Sequence, residues 1–256
     1  MFELGVVFLL GLLWGSFANV VIYRWPRQES FVFGRSHCPH CKALVSWWQN
    51  IPVLSFLILG GKCRSCGQKI SRRYPLVELL TGMIFLAIYW KYGMSWSTLE
   101  YFIFGFGLVT VSFIDLDHML LPDIFTLPGI GIGLIGAYLN PERSFQNAWL
   151  GVLVGGGILW SVAVIYYALR KREGMGGGDI KLLAWIGAIL GLSSIPVVLL
   201  FASLWGSFFG ILMSLRSKDG AQTAIPFGPY LALGALFYLF FGEEVITWYF
   251  SHLLPP

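Results

Sequence analysis

The sequence predicts an all-α polytopic membrane protein of about eight transmembrane helices, with a small extramembrane domain between the first and second. Three observations predict it. Of the 256 residues, 57% are hydrophobic and only 12% are charged, against roughly 45–50% and ~25% in soluble domains. The apolar residues gather in runs close to the roughly 20 residues that cross a bilayer. The four cysteines and most of the basic residues fall in or beside the polar loops. A soluble globular domain and intrinsic disorder are both excluded by this composition. The net charge of +4 has a membrane explanation, so lipid is an expected partner and nucleic acid is not.

Taken in order, the candidate spans are 2–23, 75–92, 97–114, 124–139, 148–169, 180–192, 195–215 and 227–250. The first is not expected to be a cleaved signal peptide, because no basic residue precedes the apolar run and polar Ser16 and Asn19 lie near its far end. The sixth is short and needs tilting or cover from its neighbours. Gly155-Gly156-Gly157 within the fifth is expected to permit close helix packing. Fifteen of the seventeen Lys and Arg residues sit on the side of loops 24–74, 115–123, 170–179 and 216–226, counting Lys181 just inside the sixth span. Only Lys91 and Arg143 lie opposite. By the positive-inside rule the crowded side is cytoplasmic and both termini face outward. The expected organisation is a first transmembrane helix (1–23), a cytoplasmic loop domain (24–74) and a transmembrane domain (75–256). Within the loop, 51–61 is apolar but too short to cross. An interfacial segment, a re-entrant segment or the core of a small domain are open readings.

All four cysteines lie in that loop, as Cys38-Pro-His-Cys41 and Cys63-Arg-Ser-Cys66. Two C-x-x-C pairs at this separation suit a zinc-ribbon-like site in which each pair supplies two thiolates to one tetrahedral ion. A reducing cytoplasm disfavours disulfides. Redox-active or bare structural cysteines are the competing readings, and His37 or His40 could replace a ligand. A four-thiolate site has no open position, so the zinc would be structural and would fold a segment too small to hold a core unaided.

Two carboxylate clusters lie at the membrane boundary on the same predicted face. One is Asp115-Leu-Asp117-His118-Met-Leu-Leu-Pro122-Asp123; the other is Glu173-Gly-Met-Gly176-Gly-Gly178-Asp179-Ile-Lys181. Ionisable residues at membrane depth are functional by default. Asp117 and His118 also read as solvated loop residues, and Asp123 and Asp179 as N-caps of the helices they precede. Asp179 is harder to dismiss. The glycines before it, Gly176 and Gly178 among them, leave a side-chain-free shelf where another backbone could approach. Two aspartates meeting at a buried site cannot both ionise easily. One could deprotonate a water while the other polarises a scissile carbonyl, which is aspartic proteolysis. No G-x-S-x-G motif is present and no cysteine lies at this depth, so nucleophilic schemes lack their parts.

In this order, these residues resemble the type IV prepilin peptidases, the bifunctional leader peptidase/N-methyltransferases that are G-x-G-D membrane aspartic proteases of type IV pilus and type II secretion systems. The markers are Gly15-Ser-Phe-Ala-Asn-Val-Val-Ile-Tyr-Arg24, both cysteine pairs, Asn50-Ile-Pro-Val-Leu-Ser55, Arg73-Tyr-Pro-Leu-Val-Glu78, the segment from Asp115 to Asp123, and Gly176-Gly-Gly178-Asp179. The resemblance implies that Asp115, seven residues before Pro122, and Asp179 are the catalytic pair, which demotes Asp117. It implies cleavage of the short basic leader of prepilins and pseudopilins after glycine, on the cytoplasmic side of the bacterial inner membrane. It also implies methylation of the new N-terminal residue, with S-adenosylmethionine as donor. Shorter relatives lack the cysteine loop, so its presence argues for the bifunctional form. No glycine motif for the donor is legible, and Asn19, Arg24, Lys62 and Glu78 are candidates without roles. An ion-coupled transporter with paired membrane carboxylates is the alternative, and a zinc-dependent assembly factor is third.

Overall fold

A computed structural model describes residues 2–172, 174–216 and 225–253 of the chain. Glu173 of the second carboxylate cluster and Lys218 of the last basic loop lie outside the described residues. The described residues form helices and loops without a β-sheet; two isolated antiparallel bridges join His37 to Leu44 and Lys62 to Lys69. The helices are α1 (Phe2–Arg24), the short α2 (Leu54–Ile58), α3 (Arg73–Tyr92), α4 (Trp96–His118), α5 (Asp123–Leu139), α6 (Phe145–Arg170), α7 (Gly177–Leu190), α8 (Ser194–Arg216) and α9 (Gly228–Leu253). The eight long ones overlap in sequence the eight apolar runs read as spans. Five are long and apolar enough to cross a bilayer by themselves, those built on α1, α4, α6, α8 and α9. Of the others, α5 has 17 residues and α7 has 14, while α3 carries Arg73, Glu78 and Lys91.

The chain divides into two compact units, Met1–Thr110 and Val111–Pro256. In the first, α1 lies against α3 along a seam of small residues. A Cβ on Gly11 would stand 2.7 Å from the Gly82 Cα, and one on Gly15 would stand 2.6 Å from the Glu78 Cα. The two backbones touch where side chains are absent, as in close membrane helix pairs. Stacked Phe85 and Phe102, with ring centroids 4.3 Å apart, and edge-on Trp14 and Phe106 at 4.9 Å fill the space beside the seam. These apolar ring pairs dock the first part of α4 against both α1 and α3.

In the second unit, α7 is the core. It packs against α5, α6, α8 and α9, and Leu182 through Ile189 are all buried. At 1.5 Å per residue it is about 21 Å long, short of the roughly 30 Å hydrocarbon layer. Its cover by neighbours is what the sequence required of so short a span. Gly151 of α6 and Gly187 of α7 meet backbone to backbone, and a Cβ on either would collide with the other's carbonyl. Within the triple glycine, Gly155 makes the same kind of approach to the Leu183 carbonyl, Gly156 only touches Ala184, and Gly157 faces open space. Close packing is therefore the work of Gly155 and Gly151. At the far end of α7, Arg143 Nη2 donates to the carbonyls of Ala188 and Ile189 at 2.7 Å each. That places a cation on the orphan carbonyls of the helix C-terminus. The outer helices α6 and α8 expose Leu153, Trp160, Ile165, Leu200, Leu204, Phe208 and Ile211, a surface suited to lipid rather than water.

The loop of the first unit is tied down by polar groups. Buried Arg24 donates to the carbonyls of Ser30 (3.0 Å), Phe33 (3.2 Å) and Arg35 (3.0 Å). Five donors in a rigid fork suit that task, so Arg24 is a loop organiser. The apolar stretch 51–61 forms α2, and Leu54, Leu57 and Ile58 of α2 are exposed. Pro52 is buried and Phe56 and Leu59 are half-buried, so the stretch turns one face inward and the other outward.

Candidate active site and metal centre

Each C-x-x-C pair folds into the same turn. In the first, the Lys42 N–H donates to the Cys38 carbonyl at 2.9 Å and Lys42 turns left-handed at φ 58°. In the second, the Gly67 N–H donates to the Cys63 carbonyl at 2.9 Å and Gly67 has φ 70°. The flanking bridges, His37 to Leu44 and Lys62 to Lys69, close each turn into a small hairpin. The two knuckles are a structural repeat of eight residues, carried in the sequence only by the cysteine spacing.

The four sulfurs lie within 4.8 Å of one another, and Cys38 Sγ is 3.9 Å from Cys66 Sγ. A tetrahedral ion with sulfur ligands at 2.3 Å sets its sulfurs about 3.8 Å apart. The spacing fits an ion and excludes disulfides, and all four cysteines are free thiols. Backbone N–H groups of Cys66 and Ser65 point at the Cys63 sulfur and lower its thiol to about 7. At Cys66 the Gln68 N–H acts in the same direction. Burial and the neighbouring sulfurs of Cys41, Cys63 and Cys38 outweigh it and raise that thiol to about 11. Four thiolates this close repel, so full ionisation calls for a cation among them. Neither His37 nor His40 joins the cluster among the described residues.

In the second unit, Asp115 and Asp179 are brought together. Asp115 lies in the last turn of α4, which Met119 ends by turning left-handed at φ 54°. Its Oδ2 accepts the backbone N–H of Gly228, the first residue of α9, at 3.0 Å. A carboxylate at the C-terminal end of one helix is disfavoured by that dipole, and the N-terminus of a second helix offsets it. Asp179 lies in the first turn of α7, where Gly176 and not an aspartate is the N-cap. Asp115 and Asp179 are both buried and within electrostatic reach of each other. Among the described residues the Oδ1 of Asp179 is buried with no hydrogen-bond partner. A buried carboxylate oxygen left so calls for a water or a ligand.

The other carboxylate of a helix start is different. Asp123 is the first residue of α5, with Pro122 as N-cap, so the cap reading open to both aspartates fails. Each sits one to three residues inside its cap, where the dipole still favours negative charge. Both Asp123 oxygens accept from Lys181 Nζ, at 2.7 and 2.8 Å. Asp117 and His118 are exposed, as a solvated reading expects, but they belong to the last turn of α4 and not to a loop.

The glycine shelf divides. A Cβ on Gly178 would stand 2.6 Å from the Leu121 Cβ, so this glycine makes room for a side chain of the same unit. Gly177 faces open space, and a Cβ on Gly176 would meet only the Asp179 carboxylate and the Gly178 backbone at about van der Waals distance. The shelf is 176–177. Leu121 also touches the position a Cβ would take on Gly228, at 3.0 Å, and that same Cβ would stand 2.7 Å from Asp115 Oδ2. Leu121 thus packs where α7 and α9 begin, beside the two aspartates. Neither Leu121 nor Gly228 was singled out by sequence. The available signal was Pro226-Phe-Gly-Pro229, a glycine between prolines at the head of an apolar run.

Residues 102–211 match the type IV leader peptidase family, and residues 9–92 match the bacterial peptidase A24 N-terminal domain. Three curated relatives carry the name prepilin leader peptidase/N-methyltransferase. The Aeromonas hydrophila protein is 40% identical over 97% of this chain and 94% of its own length. The Pseudomonas aeruginosa protein is 38% identical over 94% and 91%. The Neisseria gonorrhoeae protein is 40% identical over 98% and 96%. No solved structure matches the chain. Nothing among these relatives supports a transporter.

Proposed function

The chain belongs to the type IV leader peptidase family, and from that premise we propose that it is a membrane aspartic endopeptidase and N-methyltransferase of prepilins. It cuts the short basic leader of type IV prepilins and pseudopilins after glycine. It then methylates the new N-terminal residue with S-adenosylmethionine as donor. The observation that carries the peptidase is the aspartate pair. Asp115 is held on the α9 N-terminus, and buried Asp179 keeps an oxygen without a partner beside it.

Asp115 and Asp179 share one proton. The ionised carboxylate takes a proton from a water, whose oxygen adds to the scissile carbonyl while the protonated partner hydrogen-bonds the carbonyl oxygen. Collapse of the tetrahedral species breaks the C–N bond, and the proton passes to the departing amine. The substrate strand is received along Gly176 and Gly177, where no side chain intervenes.

Cys38, Cys41, Cys63 and Cys66 hold one structural zinc ion, whose charge is what the crowded sulfurs need. The loop 24–74 serves methyl transfer, and 75–256 carries the peptidase. The protein is an eight-span protein of the bacterial inner membrane with loop and catalytic pair on the cytoplasmic side, as the distribution of Lys and Arg indicates. The test is mass spectrometry of a prepilin incubated with purified enzyme, with and without S-adenosylmethionine. Loss of the leader in both samples, and a gain of one methyl group only with the donor, is expected. An uncut prepilin would refute the peptidase.

A further inference from the structure

The first unit contains a cavity of about 390 Å3, within the roughly 300–1,000 Å3 of small-molecule sites. It is bounded by the end of α1, the start of α3, the stretch 49–59 and the inner faces of both cysteine knuckles. Three of the sequence markers converge on it: Ser16 and Asn19, Asn50 and Ser55, and Tyr74 and Glu78. None of them is used in the chemistry at Asp115 and Asp179.

Glu78 is the unusual member. It is buried, at 8% exposure, yet among the described residues no cation pairs with it: the Val53 N–H donates to it at 2.8 Å, and the Ser16 hydroxyl lies close by. Arg24, which also lines the cavity, is committed to the carbonyls of 30–35. An ionised carboxylate has about four acceptor positions, so capacity remains toward the cavity. A buried carboxylate lacking a cation is complementary to an ammonium group. The close seam at Gly15 is what sets Glu78 beside Ser16. Val53, whose N–H is bonded to Glu78, has φ 60° and ψ −50°. That conformation is strained for a β-branched residue, and such outliers gather at functional sites.

We propose that this cavity receives the α-ammonium group of the newly cut N-terminus, and that Glu78 takes its proton for methyl transfer. The inference rests on the methyltransferase half of the proposed function. The freed nitrogen lone pair attacks the methyl carbon of a sulfonium donor. As the N–CH3 bond forms, the S–CH3 bond breaks, its electron pair stays on sulfur, and a neutral thioether leaves. Glu78 holds the proton, and the nitrogen ends as a secondary ammonium. Asn19, whose Nδ2 donates to the Tyr74 carbonyl at 3.0 Å, fixes the α1 wall against α3.

The test uses full-length protein, a peptide whose mature N-terminus is already free, and deuterated S-adenosylmethionine, read by mass spectrometry. Glu78→Gln keeps an acceptor for the Val53 N–H but no base, and Glu78→Asp keeps the base one methylene short. A base role predicts that Gln slows methyl transfer at pH 7 by about 100-fold and Asp by less. The Gln deficit should narrow severalfold by pH 9, because α-amino groups with pKa about 7.7–8.0 then deprotonate unaided. Leader cleavage by the same preparations reports that the fold survives. A purely structural role reverses the order, since Asp and not Gln would lose Val53. That order, or a deficit equal at pH 7 and pH 9, overturns the inference while leaving methyl transfer intact. Wild-type protein that cuts but never methylates would overturn the methyltransferase reading itself, and this inference with it.

Discussion

The four-sulfur site and the aspartate pair are built in opposite ways. The sulfurs come from one loop, and each knuckle is held by its own backbone through left-handed Lys42 and Gly67. Every sulfur faces the other three, and the site closes on itself. The aspartates come from α4 and α7, with a third helix, α9, supplying the N–H that holds Asp115. There the valence stays open: Asp179 Oδ1 has no partner, and Gly176 and Gly177 leave room alongside. A saturated site stabilises structure, whereas a site with an unsatisfied buried oxygen is poised to bind and react.

The largest effects should come from the open site. Asp115→Asn and Asp179→Asn should each lower single-turnover cleavage of a prepilin by about 10^3-fold or more, and the double variant by little further, because the pair acts as one device. Additive losses would mean that the two carboxylates work separately. The pH profile of cleavage should be bell-shaped, failing when both carboxylates hold protons and when neither does.

The closed site should break differently. Changing Cys38 and Cys41 to Ser removes two of four ligands, so metal analysis should find no zinc where the wild type carries one per chain. Methyl transfer should fall more than tenfold, while cleavage changes only a fewfold. Acid should release the ion as well, since thiolate ligands must be deprotonated to bind. Equal loss of both activities would show that the loop serves the peptidase too.

The same contrast explains what the sequence disclosed. The helices were legible because apolar runs are local. The knuckles were legible because ligand spacing is local. Asp115 was singled out through the family resemblance, by its distance from Pro122, and Asp179 also by the glycines before it, although nothing in the residues alone required α4 and α7 to meet. Gly228 and Leu121 were not legible. Their roles arise only when the N-terminus of α9 lies against Asp115, a contact across 113 residues. The N-cap assignments failed for a smaller reason: aspartate within the first turn and aspartate at the cap look alike when helix starts are uncertain by a residue or two. Arg24 and Glu78 carried no local signal of role, because each is defined by what folds back onto it.

Gly228 offers an intermediate test. With a side chain it would crowd the oxygen it now bonds, since a Cβ there stands 2.7 Å from Asp115 Oδ2. Gly228→Ala should therefore reduce cleavage by about 10–100-fold through displacement of one carboxylate, with methylation of a pre-cut peptide unchanged. Gly178→Ala should instead appear first as lost thermal stability, because its Cβ would press on Leu121 rather than on a carboxylate.

The smallest effect belongs to Asp123, and its value is as a control for Asp179. Both are aspartates in the first turn of a helix in the same unit, and both gain from the helix dipole. They differ in surroundings. Asp123 is paired with Lys181 at 2.7 Å, and the two side chains are 55% and 38% exposed; Asp179 is buried and one oxygen is unpartnered. Exposed ion pairs contribute about 0–1 kcal/mol and are screened by salt. Asp123→Asn should thus cost less than about 1 kcal/mol of stability and no more than a fewfold in cleavage. The penalty should shrink further at 0.5 M salt. If instead Asp123→Asn matched Asp179→Asn, helix position rather than burial and an open valence would decide which aspartate reacts. The contrast between closed and open sites would then lose its explanatory force.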